Sequence, residues 1–293
     1  MIKKGILIGI MMAVLSLAIN SCNFDAFTEE EDRNLRMVYT NWSEGVAITH
    51  LAKILLTDKM DYKVDLKLTD VESAYDELAN SETDVFADAW LPETQKKYFE
   101  KHKDKLNRIG IIYPEARTGF VVPEYSRFQS VKDLKNCKYD IIGIDAGAGV
   151  MQQAKKAIEK YELPIQLLEL SEEIMTQRLA DSIKRKKEVV VTGWEPHWIF
   201  ARYDVRFLED EDKIFGEKEN IYSISRLGME EDHPRILRFF ERMQLTEKQL
   251  NNLVYYMRLN EDPEVGIKEW INQNEYVVNQ WVKDLGKERK KIM

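Results

Sequence analysis

Three tryptophans share one position in the pattern of the chain: each follows a strand-like segment and stands directly before a helix-like one. They are Trp42, Trp90 and Trp194, after the segments 35–40, 84–89 and 188–193. Open α/β sheets place their ligand crevice at such strand ends. A single tryptophan is usually a core residue. Three at equivalent places favour one aromatic cage, because the face of an indole ring attracts a soft cation.

A cage of this kind needs a second anchor for its ligand. Each contact of a cation with a desolvated ring contributes about 0.5 to 2 kcal/mol, so three rings supply at most about 6 kcal/mol. A micromolar dissociation constant corresponds to roughly 8 kcal/mol. Apolar burial and another polar contact must therefore supply the remainder.

The glycine-rich segment 143–150 is the candidate for that polar contact. A turn that leads into a helix offers free backbone amides and the positive end of the helix dipole, which suits an anion such as a carboxylate. Gly147 and Gly149 also match the first two glycines of a dinucleotide fingerprint, but Gln152 stands at the third place, so that pattern is weak. A ligand with a quaternary ammonium at one end and a carboxylate at the other is a betaine.

Strand and helix patterns alternate from residue 35 onward, which predicts a mainly parallel α/β sheet. Strands are predicted at residues 35–40, 62–68, 84–89, 118–123, 140–144, 164–168, 188–192 and 221–227. The pattern divides into two lobes of similar size: lobe 1 comprises residues 35–121 and 222–293, and lobe 2 comprises residues 122–221. After His233 the chain is predicted to be helical, with Trp270 and Trp281 in the core of lobe 1 rather than at a ligand.

The N-terminal segment, residues 1–21, has the pattern of a secretory signal, because Lys3 and Lys4 precede a largely apolar run that is short for a bilayer span. Residues 17–22 resemble a bacterial lipobox ending at Cys22, which would then be lipidated and become the mature N-terminus. A plain signal peptide with an incidental cysteine is the alternative. The acidic segment 22–34 is predicted to be a solvated tether. Cys137 is the only other cysteine, so lipidation leaves no intramolecular disulfide.

Composition excludes several classes of function. The chain of 293 residues has a formal charge of −8, and −10 without residues 1–21, which hold two lysines and no acid. An acidic surface argues against a nucleic-acid partner. The histidines show no metal-binding spacing, and no nucleophile elbow or Walker loop occurs, so neither a metal nor a cofactor is predicted. For His197 we favour a structural role at the start of the next helix over an acid–base pair with Glu195.

Four segments together resemble the glycine betaine and proline betaine substrate-binding proteins of ABC importers. They are residues 41–47 (NWSEGVA), 88–92 (DAWLP), 142–151 (IGIDAGAGVM) and 192–198 (TGWEPHW). The resemblance implies a two-lobed periplasmic-binding-protein fold of type II, in which each lobe is a mixed, mainly parallel sheet flanked by helices. It also implies that Trp42, Trp90 and Trp194 form the cage, and that the backbone amides of Gly149 and Val150 hold the ligand carboxylate.

One position departs from the family pattern. Relatives often carry a histidine five residues after the second cage tryptophan, where it bonds the ligand carboxylate, and this chain has Gln95 there. A glutamine amide can donate a hydrogen bond but carries no charge. We therefore expect weaker carboxylate binding, or a ligand preference shifted toward choline or carnitine.

The resulting hypothesis is an extracytoplasmic binding protein, anchored to a bacterial membrane through Cys22, that is not an enzyme and uses no cofactor. It would capture glycine betaine or proline betaine for osmoprotectant uptake and deliver it to an ABC permease with its ATPase subunit. The predicted ligand-binding residues are Trp42, Trp90, Trp194, Gly149, Val150 and Gln95. Three alternatives stay open: a choline or carnitine binding protein, a lipoprotein enzyme acting on a quaternary amine through Glu195 and His197, and a receptor subunit that signals occupancy.

Overall fold

The structure is a computed structural model that describes residues 32–286. The predicted signal segment, Cys22 and most of the predicted tether lie outside the described residues. Residues 33–286 belong to one compact unit. Among the described residues no helix is both long enough and apolar enough to cross a membrane.

Strands and helices are interspersed in the first three quarters of the described chain, and helices alone make up the rest. The strands are β1 Asn34–Tyr39, β2 Lys63–Leu68, β3 Val85–Leu91, β4 Leu106–Pro123, β5 Ile141–Ile142, β6 Leu167–Leu168, β7 Val190–Glu195, β8 Val205–Phe207 and β9 Glu219–Arg226. The helices are α1 Ser43–Met60, α2 Val71–Ala79, α3 Lys96–His102, α4 Gly149–Lys160, α5 Glu172–Lys184, α6 Ile199–Arg202, α7 Met229–Asp232, α8 Pro234–Arg242, α9 Glu247–Arg258, α10 Pro263–Gln273 and α11 Glu275–Trp281.

The strands form one mixed sheet in the order β2-β1-β3-β9-β4-β7-β5-β6, with β8 paired to β4. Strand β1 runs parallel to β2 and β3, and β5 runs parallel to β6 and β7. Between these groups, β9 and β4 are antiparallel to their neighbours. The predicted α/β class with a mixed, mainly parallel sheet in each half is confirmed.

Strand β4 connects the two halves of the sheet. It pairs with β9 up to Ala116 and with β7 from Arg117 to Val121. We call β2, β1, β3, β9 and the β9-paired part of β4 the first half-sheet, and β5 to β8 with the remainder of β4 the second half-sheet. The change of partner lies at residues 116–117; the predicted lobe boundaries at 121–122 and 221–222 stay a prediction.

Local sequence signals explain the elements that carry the site. Helix α1 buries a stripe that includes Ala47, Ile48, Leu51 and Leu55, and it ends at Asp61, which has a φ of 66°. Strand β3 is buried at every position, as expected for a strand covered on both faces. Ser171 caps α5 by accepting a hydrogen bond from the amide of Ile174 over 3.3 Å.

Two local predictions differ from the structure in extent, and a third agrees with it. The helix expected near Pro92 begins only at Lys96, because residues 92–95 form a turn that the amide of Gln95 closes on Trp90 O at 2.9 Å. The strand expected at 118–123 begins earlier, at Leu106. The sequence does not reveal its first part, because register shifts at three places in residues 108–116 break the alternation of side chains. Trp270 and Trp281 are buried in the helical part of the chain, as predicted.

Candidate functional site

A pocket lies between the two half-sheets. It is lined by Trp42, Glu44, Trp90, Thr94, Gln95, Thr118, Ile144, Ala148, Gly149, Val150 and Trp194. All six predicted ligand-binding residues are among these eleven, and that they hold a ligand there stays a prediction.

The three tryptophans enter the cavity from different elements. Trp42 precedes α1, Trp90 lies near the end of β3, and Trp194 lies near the end of β7. The indole N–H of Trp42 donates to Asp145 Oδ2 at 3.4 Å, and that of Trp90 donates to Asp88 Oδ1 at 2.9 Å. These bonds limit rotation of the two rings.

The amides of Gly149 and Val150 open helix α4 at the other part of the lining. Ala148, the residue before the helix, provides no side-chain cap. Within residues 32–286, neither of these two N–H groups has a hydrogen-bond partner. The first N–H groups of a helix are unsatisfied by the helix itself and carry its positive partial charge. The geometry is therefore suited to accepting a carboxylate.

Gln95 lines the cavity, but its amide group already has two partners. Its Oε1 accepts from Tyr75 OH at 2.9 Å, and its Nε2 donates to the backbone oxygen of Asp88 at 3.2 Å. The side chain is fully buried. One amide hydrogen remains for a ligand, so the expected contact with a carboxylate is a single uncharged donor.

Two buried carboxyl groups lie close to the lining tryptophans. Burial raises the pKa of Glu44 well above its ordinary value, and the charges of Asp88 and Glu172 raise it further. Burial also raises the pKa of Asp88 to about 7. Glu44 Oε2 has no hydrogen-bond partner among the described residues, and Glu44 is the one ionisable side chain of the eleven that line the cavity. A cation in the cavity would favour the ionised form of Glu44.

The cleft is closed around the cavity by contacts between elements of the two half-sheets. Tyr98 OH in α3 donates to Gly147 O at 2.8 Å, and Gln152 donates to the same hydroxyl. Thr94 abuts Gly149 so closely that a side chain on Gly149 would overlap its carbonyl oxygen and its methyl group. Glu219 in β9 fixes Thr94 by accepting hydrogen bonds from its amide and its hydroxyl.

Sequence reasoning missed Glu44, Thr94 and Thr118 as lining residues. A signal for Glu44 exists, because it lies three and four residues before Ala47 and Ile48 and so belongs to the buried stripe of α1. Asp88 stands in the otherwise apolar strand VFADAWL, which is also a signal of a buried acid. Thr94 and Thr118 have no comparable local signal.

Glu195 and His197 do not form the acid–base pair considered from the sequence. Glu195 accepts from Arg117 at 2.8 Å, whereas His197 bonds Glu172. His197 Nδ1 accepts the amide of Ile199 at 3.1 Å, and this bond holds the start of α6 as predicted. Within the described residues no group of three or more potential metal ligands is found.

Comparison with known proteins identifies the family. The profile described as the substrate binding domain of ABC-type glycine betaine transport systems, OpuAC, matches residues 33–273. This chain belongs to that family. The type II periplasmic-binding-protein fold expected from the sequence is confirmed by its structural neighbours.

Three relatives illustrate this membership. The glycine betaine/carnitine transport binding protein GbuC of Listeria monocytogenes is 35% identical over 175 residues, which span 58% of this chain and 57% of that protein. Lactococcal OpuAC, solved closed with glycine betaine, is 31% identical, with a TM-score of 0.82 over 86% of this chain and all of that chain. ProX of Borrelia burgdorferi is also 31% identical, with a TM-score of 0.81 over 86% of this chain and 97% of that chain.

Proposed function

We propose that this OpuAC-family protein captures a small quaternary ammonium compound, glycine betaine or proline betaine, and delivers it to an ABC importer for osmoprotectant uptake. The observation that carries the proposal is the single cavity that combines three indole rings with the free amides of Gly149 and Val150. The two parts match the two ends of a betaine. The Listeria relative is a glycine betaine/carnitine transport binding protein, and the lactococcal relative was solved with glycine betaine, which supports the same ligand class.

In this proposal the ligand lies with its ammonium among the rings and its carboxylate at the start of α4. Ile144 and Ala148 cover the apolar methyl groups, and Gln95 adds one uncharged donor to the carboxylate. The rings of Trp42 and Trp90 come from lobe 1, and Trp194 with the α4 amides comes from lobe 2. The ligand favours the closed state because only closure brings these parts together.

Choline or carnitine is the second candidate ligand, and one observation favours choline. The cavity lining contains the carboxyl group of Glu44 and no cationic side chain, since Gln95 replaces the histidine of the family pattern. A carboxyl group beside the cage stabilises any ammonium, and the missing cation weakens the hold on a carboxylate. Choline, which has a hydroxyl in place of the carboxylate, loses less from this change than a betaine does.

The cellular setting belongs to the same proposal. We infer that Cys22 is lipidated and that segment 22–34 tethers the folded unit to the outer side of a bacterial membrane. There the protein meets a permease with its ATPase subunit. Copurification with those subunits supports transport, whereas copurification with a membrane sensor supports the receptor alternative.

A ligand panel tests the proposal. Glycine betaine, proline betaine, carnitine and choline are each added to the purified protein, and the melting temperature and calorimetric affinity are measured. A ligand that binds only the folded protein raises its melting temperature. At a hundredfold excess over the dissociation constant, it adds about 2.7 kcal/mol to the free energy of unfolding. Failure of all four compounds to bind would reject the proposed function, and turnover of any of them would favour the enzyme alternative.

A further inference from the structure

A buried cluster of three polar side chains joins the two half-sheets next to the cavity but outside its lining. Its members are Ser43, the first residue of α1, Glu172, the first residue of α5, and His197, which follows β7. Their exposed fractions are 8%, 7% and 3%. None of the three lines the cavity, so the cluster does not contact a ligand bound there.

Glu172 is the centre of this cluster. Its Oε2 accepts the backbone N–H of Ser43 at 2.8 Å, and its Oε1 accepts the Ser43 hydroxyl. His197 Nε2 lies 3.1 Å from the same Oε1. Because Nδ1 of His197 accepts the Ile199 amide, the ring proton lies on Nε2 and is donated to Glu172. Three donors, two from Ser43 in α1 and one from His197 in the loop after β7, therefore converge on one carboxylate.

The electrostatics favour a carboxylate at this place. Burial opposes ionisation of Glu172, but the contacts from His197 and Ser43 outweigh burial and hold its pKa below the ordinary value. The N–H of Ser43 is also one of the first amides of α1, which carry the positive end of the helix dipole. Opening the cleft would separate Ser43 from Glu172 and leave these charge-assisted bonds unmade.

The cluster also contacts the cage from both sides. Ser43 directly follows Trp42, and the ring of His197 packs edge-on against Trp194 with a centroid separation of 4.4 Å. The hydrogen bonds of Glu172 thus fix the position of one residue beside each of two lining tryptophans.

We propose that Ser43, Glu172 and His197 form a latch that holds the cleft closed and positions Trp42 and Trp194 for every ligand alike. The latch rests on the proposed function in that closure is taken to trap a quaternary amine. Because the latch acts on the closed state and not on the ligand, it changes affinity without changing the ranking of ligands. Glu172 is therefore a positioning residue.

Two variants test the latch, with a matched control. Glu172→Gln replaces one acceptor oxygen by an NH2 group, which cannot accept from Ser43 or His197. Ser43→Ala removes one donor but keeps the charge of Glu172, which acts on the nearby Glu44. Glu173→Gln removes an exposed charge in the same first turn of α5 and serves as the control. Affinities for glycine betaine and choline are measured by calorimetry, and dissociation rates by tryptophan fluorescence after rapid dilution.

The expected result is about tenfold weaker binding of each compound that the native protein binds, with a faster dissociation rate and an unchanged ratio of affinities. Ser43→Ala should move in the same direction by a smaller factor, and Glu173→Gln should match the native protein. Unchanged affinity in a folded Glu172→Gln protein, or a loss confined to one ligand, overturns the latch.

Small-angle X-ray scattering of the ligand-free proteins separates the latch from the proposed function. If the native protein binds none of the compounds, the proposed function fails, yet the latch still predicts a larger radius of gyration for Glu172→Gln than for Glu173→Gln. Equal radii for the two folded variants overturn the latch whatever the binding result. Circular dichroism verifies the fold of each variant.

Discussion

Trp90 donates its indole N–H to Asp88 Oδ1 over 2.9 Å, from two residues further along the same buried strand. The carboxyl group that orients this lining ring is therefore a buried acid, and Thr40 is its other side-chain partner, at 3.5 Å. Asp88 therefore both orients the Trp90 ring and binds a proton. The stability of the protein should consequently depend on pH in a way that traces to Asp88.

Asp88 should make the folded state less stable as the pH rises. The unfolded chain releases this proton near pH 4, the ordinary value for aspartate. The folded protein keeps it until about pH 7, because burial raises the pKa. Between these values only the folded state binds the proton, so this contribution to the unfolding free energy falls with rising pH and is constant above about pH 7.

Asp88→Asn removes this titration and keeps an oxygen for Trp90. As the pH rises from 5 to 8, the unfolding free energy of the variant should increase relative to that of the native protein by about 1 kcal/mol or more. Urea denaturation at the two pH values measures the difference. An identical pH dependence in both proteins would show that Asp88 does not titrate in this range.

Removal of any lining tryptophan should weaken ligand binding. We expect Trp42→Ala, Trp90→Ala and Trp194→Ala each to lose about 2 kcal/mol, or roughly thirtyfold in affinity, through lost cation–π contact and apolar burial. Calorimetry with the best ligand of the panel measures this. Trp270→Phe is the control, since Trp270 is fully buried and lies outside the cavity lining. Normal binding by two of the three alanine variants would refute the cage.

Gln95→His should give the carboxylate a partner that can carry a positive charge. Affinity for glycine betaine should rise about tenfold, the usual gain from a charge-assisted hydrogen bond, whereas affinity for choline should not rise, because choline has no carboxylate and a cation repels its ammonium. The variant loses the bond from Tyr75, so its melting temperature should fall slightly. Calorimetry with both ligands decides: unchanged affinity for every compound would remove Gln95 from the site.

Gly149→Ala should prevent complete closure of the cleft. An added Cβ would overlap the carbonyl oxygen and the methyl group of Thr94, which are parts of the opposite wall. Binding should therefore weaken about tenfold or more while the melting temperature of the ligand-free protein changes little. Gly147→Ala is the matched control in the same turn, because its Cβ would meet nothing nearer than Tyr98 OH at 4.0 Å. Equal binding by the two variants would contradict this mechanism.

The fold and much of the cavity lining followed from local patterns. Trp42, Trp90 and Trp194 are predicted together because strand ends in an α/β sheet meet at one edge, and segment 143–150 is predicted because a glycine-rich turn opens a helix. The choice of Gly149 within that segment comes from the family resemblance. The buried acids were missed because Glu172 looks like any acid in the first turn of a helix. Its role depends on Ser43, which is 129 residues away in the sequence, and a local sequence pattern cannot indicate a contact between such distant residues.

The extent of β4 was likewise beyond local reasoning. Its first part pairs with β9 through several bulges, so residues 108–116 lack the two-residue alternation that marks a strand. The partner of Gln95, Tyr75, also comes from another helix. Such features arise from tertiary contacts, which the sequence specifies only through the complete fold.

Strand β4 belongs to both half-sheets and also forms part of the cavity wall. Its backbone runs unbroken from one half of the sheet into the other, and Thr118 in the cavity wall lies two residues after Ala116, the last residue paired with β9. We expect a movement that widens the gap between the half-sheets to bend this strand. Because Thr118 lies so close to the change of partner, such bending would also move the cavity wall.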